Sequence, residues 1–260
     1  IYVVSELIIN SSKKGESIAL LEDKVLAEYH FESSEIQYKV GDIFLGTVRR
    51  IMPGLNAAFV DVGHEKDGFL HFHDLGVHYR TFDKFVNQSL SDKTTSSSLS
   101  TIKYEPELEK LGKISSLVKG GQRILVQVEK EPISSKGPRL SSDISLAGRY
   151  IVLVPFSTTV SVSRKIEQRA EKERLKNIIN SIKPKNFGVI VRTVAQNKTL
   201  EELEKDLTSL VKNWQDGIKK LKVANPKDKI VGEIDRTASI LRDILNDSFD
   251  SIIIDSEPLY

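Results

Sequence analysis

Short runs of alternating apolar and polar residues fill the chain up to position 75, and the alternation returns between residues 121 and 130. Ile1 to Ile9, Ser17 to Leu21 and Val25 to Phe31, separated by turn residues, predict a three-stranded meander. Val40 to Ile51 and Gly54 to Gly63 predict two further strands, those of a small barrel. In the second, Ala58, Val60 and Val62 share one side and can fill a barrel interior. Phe59 and Asp61 take the other side, because strand side chains alternate with period two. After a polar turn at Gly63 to Asp67, Leu70 and Phe72 point one way, and Phe69, His71 and His73 the other. Two outward phenylalanines on adjacent strands either stack bases or lie beneath a neighbouring loop; alternation alone admits both.

The pattern then breaks over residues 76–119. Asn87 to Ser100 holds six serines and two threonines and predicts a flexible loop rather than a strand. Barrel alternation resumes at Gly121, with a strand from Arg123 to Lys130 and a basic turn at Ser134-Ser135-Lys136-Gly137. The insertion therefore belongs in a surface loop of the same barrel. Arg149 to Pro155 and Phe187 to Thr193 read as buried strands, with a charged amphipathic helix from Ile166 to Ile182 between them. A longer helix is predicted from Thr199 to about Leu221. Thr199 and Glu202 can form a capping box. Leu200, Leu203, Leu207, Leu210, Trp214, Ile218 and Leu221 give one apolar stripe, which reads as core. Lys229 to Tyr260 reads strand, helix, strand.

Composition narrows the function classes. Hydrophobic content of 39% and charged content of 28% are those of a soluble globular chain. A formal net charge of +2 confines any nucleic-acid site to a local patch. The absence of cysteine removes disulfides and thiolate metal sites and fits a cytoplasmic protein. No apolar run approaches the roughly 20 residues that cross a membrane. The chain starts at Ile1 without an initiator Met, consistent with residues missing upstream.

Candidate chemistry is sparse. His71, His73 and His78, with His64 and Asp74 nearby, could hold a metal, or could contact phosphate or a base from the face that carries Phe69. Asp61, Glu65 and Asp67 read as solvated residues of a tight hairpin. No nucleophile elbow, phosphate-binding Walker loop or dinucleotide fingerprint is present, so no residue is assigned a catalytic role. Arg192 and Thr193 end a buried strand before the loop into the capped helix. A guanidinium and a hydroxyl there can hold a phosphate monoester, or Arg192 pairs with a surface carboxylate and Thr193 is a turn residue.

Two resemblances go beyond this reading. Gly41-Asp42, a strand ending in Arg49-Arg50, Phe59 before Val60-Asp61, and Gly68-Phe69-Leu70-His71 resemble the RNA-binding OB domain repeated in the largest protein of the small ribosomal subunit. More broadly, the chain resembles the amino-terminal half of the RNase E/G family of bacterial endoribonucleases. That resemblance runs through Glu6 to Asn10, Ile51 to Asp61, Val126 to Glu131 with Lys136-Gly137, Ile144 to Tyr150, Ser163 to Glu167 and Gly188 to Thr193. It covers nearly the whole chain apart from the segment 76–119.

The resemblance implies an α+β multidomain fold. An OB-fold RNA-binding barrel over 39–142 would be inserted in a discontinuous RNase H-like domain, whose pieces are 1–38 and 237–260. A small α/β 5′-sensor domain would occupy 143–236. Phe59, Phe69 and Lys136 match positions that grip RNA, with Arg49 and Arg50 adding phosphate contacts. Gly148 and Val152 would pack against the terminal base, and Arg192 and Thr193 would hold its monophosphate. One family aromatic is Val62 here. The implied activity is single-strand-specific RNA cleavage in RNA processing and decay, including mRNA decay and rRNA maturation. The two family aspartates that hold Mg2+ lie in segments not found in this sequence, and so do the zinc-binding cysteines that join subunits in some members. The chain thus reads as the recognition half of a homo-oligomeric enzyme, bound to single-stranded RNA and without its cleaving half. The alternatives are a stand-alone RNA-binding protein and a metal-dependent hydrolase built on the histidines.

Overall fold

The computed structural model describes residues 4–12, 15–33, 38–92, 94–232 and 250–255. The helix expected between Lys229 and Ser251, and most of the expected second piece at 237–260, lie outside the described residues. The chain divides into two compact units, Ile1–Gln37 with Ile234–Tyr260, and Tyr38–Glu233.

The first unit is a four-stranded sheet. The meander β1 (Ser5–Ser12), β2 (Gly15–Glu22) and β3 (Val25–Ser33) is antiparallel, and β14 (Ser251–Ile254) adds to β1 in parallel. Asp23 and Lys24 both have positive φ, 50° and 65°, as a two-residue turn matched to strand twist requires. Leu7, Ile9 and Ile18 form the buried face, with Leu20 and Ile254 packed against them.

The second unit holds a closed five-stranded barrel. β4 (Ile43–Met52), β5 (Ala57–Asp61), β6 (Gly68–His71), β7 (Arg123–Lys130) and β8 (Arg139–Ser141) pair in the order β4-β5-β6-β8-β7, and β7 closes back on β4. The β6–β8 pairing is parallel and the others are antiparallel. This architecture, within a mixed α+β chain, is compatible with an OB-fold. Ala58, Val60, Val62 and Leu70 are buried in the core, as the alternation predicts, together with Val126, Val128 and Leu140.

The insertion after β6 is not a free loop. Tyr79–Ser91 forms α1, and Tyr79, Phe82, Phe85 and Val86 are buried on one face. Asn87, Ser89 and Ser91 hide this stripe in the sequence by their composition, yet three or four residues separate its apolar members.

A second sheet follows, from β9 (Leu146–Ala147), β10 (Ile151–Pro155), β11 (Val160–Val162) and β12 (Phe187–Val191), in the order β11-β12-β10-β9. The helices α2 (Arg169–Ile182) and α3 (Leu200–Leu221) pack against it. α2 begins at Arg169 rather than Ile166, whose amide instead bonds Ser163 in a turn. Both halves of the Thr199–Glu202 capping box are made. Leu200 is the exception to the predicted stripe, being 43% exposed at the first helical position. After α3, β13 (Lys229–Val231) returns to the barrel and pairs with β4.

Barrel and second sheet share one hydrophobic core. Phe82 and Phe85 from α1 meet Phe156, which follows β10, each at 5.4 Å between ring centroids. Trp214 of α3 lies 5.9 Å from Phe156, 6.2 Å from Phe85 and 6.2 Å from Phe187. Its indole N–H donates to the Ser97 carbonyl at 3.2 Å. Two more side chains tie the insertion down, Asn186 to the Leu99 carbonyl and Lys222 to the Thr95 carbonyl.

Trp214→Ala removes the centre of this cluster and should lower the unfolding free energy by about 3–5 kcal/mol. Urea denaturation followed by circular dichroism measures it, since Trp214 is the chain's single tryptophan and its own fluorescence is lost with it.

Candidate nucleic-acid interface

Register across three strands builds a row of rings on the outside of the barrel. Arg50 opposes Phe59, and Phe59 opposes Phe69. The Arg50 guanidinium lies 5.2 Å from the Phe59 ring centroid. Phe59 and Phe69 meet edge to face at 5.8 Å and 69°. His71 stacks on Phe69 at 6.5 Å and 27°, and His73 follows at 5.0 Å. Phe59, Phe69 and His71 are half-buried, while Arg50 and His73 are exposed. Such a face offers aromatic surfaces and a cation to a chain of bases and phosphates. Val62 lies inside the barrel, 1% exposed, and adds nothing to this row.

Arg49 has a different position. The β4–β5 register shifts between Val48 and Arg50, so Arg49 is the extra residue of a bulge and both arginines project outward. Its guanidinium donates to Asp61, with Nε at 3.1 Å, and Lys227 Nζ reaches the same carboxylate at 3.1 Å. The Gly63 amide donates to the other oxygen at 2.9 Å. Asp61 is therefore not a solvated hairpin residue: it is 4% exposed and serves as a common anchor. Burial alone would raise its pKa, but the bonds from Gly63, Lys227 and Arg49 outweigh that and hold the carboxyl below its usual range.

Lys136 is exposed on the turn between β7 and β8, whose backbone bridges Ile133 to Lys136. The turn lies against the β5–β6 hairpin so closely that a Cβ on Gly137 would come within 2.2 Å of the Asp67 carbonyl. Three residues further on, Arg139 sits beside Phe69 in the ladder and is neutralised by Asp74 and Glu129.

The second cluster lies at one end of the β9–β12 sheet. Val152 is half-buried between Ala147 and Ile190, its neighbours on the adjoining strands, and Ile190 is 44% exposed. Arg192 follows β12 and donates to the carbonyls of Gly148 at 2.9 Å and Arg149 at 3.4 Å. Thr193 is exposed, and its hydroxyl shares a 2.8 Å hydrogen bond with that of Ser163. Arg192 and Thr193 are chain neighbours but engage different partners. Gly148 is buried against Asp206 of α3. The sequence assigns no role to Asp206 or Ser163. A carboxylate between Leu203 and Leu207, on the buried flank of an amphipathic helix, was the signal for the first.

Among the described residues no three His, Asp or Glu side chains converge as a metal site. His71, His73 and His64 stay within rings and turns, His64 receiving the Lys66 amide. The buried carboxylates Asp42 and Asp61 are occupied by Lys229 and by Arg49 with Lys227. No helix of the described residues is long and apolar enough to cross a membrane.

The fold defines a mixed α+β chain in which an OB-compatible barrel with an aromatic outer face joins a small α/β sheet. Comparison with known proteins narrows it. The family model of the Ribonuclease E/G family matches residues 145–260. The chain is 35% identical over 252 residues to ribonuclease G of Haemophilus influenzae, covering 97% of this chain and 48% of that protein. Ribonuclease G of Escherichia coli K12 is 32% identical over 258 residues, 99% of this chain and 49% of its own length. Ribonuclease E of Nostoc sp. is 33% identical over 246 residues, 89% of this chain and 32% of its own length. The chain belongs to the ribonuclease E/G family. It spans about half the length of these ribonuclease G relatives.

The Asp61 anchor carries a pH dependence. A carboxyl held below its ordinary value of 3.8 contributes stability that is fully present above that value and is lost as pH falls through the folded-state pKa. Asp61→Asn should cost roughly 1–3 kcal/mol at pH 7. It should also flatten the loss of stability below pH 3.8, as urea unfolding of both proteins on either side of that pH will show.

Proposed function

We propose that this chain is the RNA-recognition portion of a single-strand-specific endoribonuclease acting in cytoplasmic RNA processing and decay. The observation that carries the reading is the continuous row Arg50, Phe59, Phe69 and His71 on an OB-compatible barrel, in a chain of the ribonuclease E/G family. Unpaired bases stack on Phe59 and Phe69, each contributing about 1–3 kcal/mol. Arg50 and Lys136 supply phosphate contacts, and Arg49 adds the edge of its guanidinium not held by Asp61. These contacts weaken as salt rises.

The second cluster selects RNA by its 5′ end. A terminal monophosphate carries nearly two negative charges and three acceptor oxygens. It offers Arg192 a charged acceptor, which binds a guanidinium more strongly than the neutral carbonyls of Gly148 and Arg149 do. The paired hydroxyls of Thr193 and Ser163 have one hydrogen beyond the bond they share, available to a second phosphate oxygen. Gly148 and Val152 border the place of the terminal base. In this reading residues 1–38 and 237–260 belong to an RNase H-like domain. Mg2+ and the residues that cleave lie outside this chain, as do the contacts that assemble the full-length homo-oligomer.

Binding of one short unstructured RNA, carrying either a 5′-monophosphate or a 5′-hydroxyl, tests the reading. The chain should prefer the monophosphate by about tenfold to a hundredfold, the value of one charged hydrogen bond. Arg192→Ala should abolish the preference, whereas Phe59→Ala should weaken both RNAs about equally. Equal affinity of the unaltered chain for both ends would leave only the barrel's grip and favour a stand-alone RNA-binding protein.

A further inference from the structure

Asp206 of α3 holds the turn on which Arg192 rests. One carboxylate oxygen accepts the Arg149 amide at 3.1 Å. The other accepts the amides of Tyr150 at 2.8 Å and Ile151 at 3.1 Å. Three consecutive amides converging on one carboxylate make a backbone anion nest. Glycine at 148 is what lets the carboxylate in, since a Cβ there would lie 2.6 Å from one oxygen of Asp206 and 2.7 Å from the other. The same turn uses its carbonyls elsewhere: those of Gly148 and Arg149 receive the Arg192 guanidinium. The turn is thus gripped through its amides by an acid and through its carbonyls by a base.

We infer that Asp206 is the positioning residue of the 5′-end pocket. By fixing the Gly148–Ile151 turn it fixes the carbonyls that aim Arg192, and it fills a nest that would otherwise capture a phosphate at the wrong place. The inference rests on the reading of Arg192 given above. Without Asp206 the turn loses three hydrogen bonds. The long Arg192 side chain then loses two of the carbonyls that restrict its many rotamers.

The test compares the unaltered chain with Asp206→Ala and Asp206→Asn, using one RNA with a 5′-monophosphate or a 5′-hydroxyl. In Asp206→Ala the monophosphate preference should fall from about tenfold or more to within about twofold of unity. Affinity for the hydroxyl-ended RNA, supplied by the barrel, should hold. Asp206→Asn keeps an acceptor oxygen and should fall between. Gly148→Ala, which forces the carboxylate out, should reproduce the Asp206→Ala loss, and the double variant should lose no more than either alone. A preference retained or increased in Asp206→Ala overturns the inference. Equal losses for both RNAs also overturn it, because they make Asp206 a structural residue only. No preference in the unaltered chain removes the pocket reading itself, and the role of Asp206 falls with it.

Discussion

The second unit depends on the contact of Phe156 with Phe82, Phe85 and Trp214. α1 belongs to the barrel and Trp214 to the helix over the second sheet, so this cluster is where two sets of strands become one core. Phe156 takes a positive φ of 62° to reach it. That conformation is unfavourable for a bulky residue, and the burial of its ring against three others offsets the strain. Each edge-to-face or offset pair adds about 0.5–1.5 kcal/mol to the transfer of its surface from water. The two candidate RNA-contacting regions, one on each set of strands, are consequently held in one rigid core.

Charge is used in a second, separate way. Asp42, Asp61, Asp206 and Glu171 each bind several donors, and all but the half-buried Asp206 are withdrawn from water. Asp42 holds Lys229, and Asp61 holds Lys227 and Arg49, which together fasten β13 to the barrel. Glu171 takes Arg174 and the Asn197 amide, and its carboxyl is held below the usual range chiefly by the Arg174 fork. Each acid also accepts at least one backbone amide: Lys39 on Asp42, Gly63 on Asp61, Arg149 to Ile151 on Asp206, and Asn197 on Glu171. Three acids, Asp42, Asp61 and Glu171, are buried among the described residues, while cations such as Arg50 and Lys136 stay exposed at the surface.

Much of this was legible in the sequence, and the gaps have physical causes. Period-two alternation found the barrel interior at Ala58, Val60 and Val62 and the outward pair Phe59 and Phe69. The spacing of Leu203 to Leu221 and the capping residues found α3. Composition misled at 76–119, where serine and threonine hid the stripe of α1. Alternation also placed Asp61 outward, which is correct for its direction. It could not show that Lys227, 166 residues later in the numbering, would cover it. The bulge at Arg49 left no mark, since the side-chain pattern of a bulged strand looks like that of an ordinary one until its partner is known. Asp206 was visible only as a polar residue on an apolar flank, and its three amides come from a turn more than fifty residues earlier.

The parallel pairing of β14 with β1 has a consequence for synthesis. Glu6 aligns with Ser251, so β1 emerges from the ribosome about 245 residues before its neighbour. At 5–20 residues per second that is a wait of roughly 10–50 s. Throughout it, the β1 edge presents unpaired amides and carbonyls beside Leu7 and Ile9, an open template for another strand. The second unit, by contrast, is contiguous in sequence and has every partner in hand before β14 is made. The nascent chain thus carries this association-prone edge until β14 is made, and a chaperone could cover it throughout that wait.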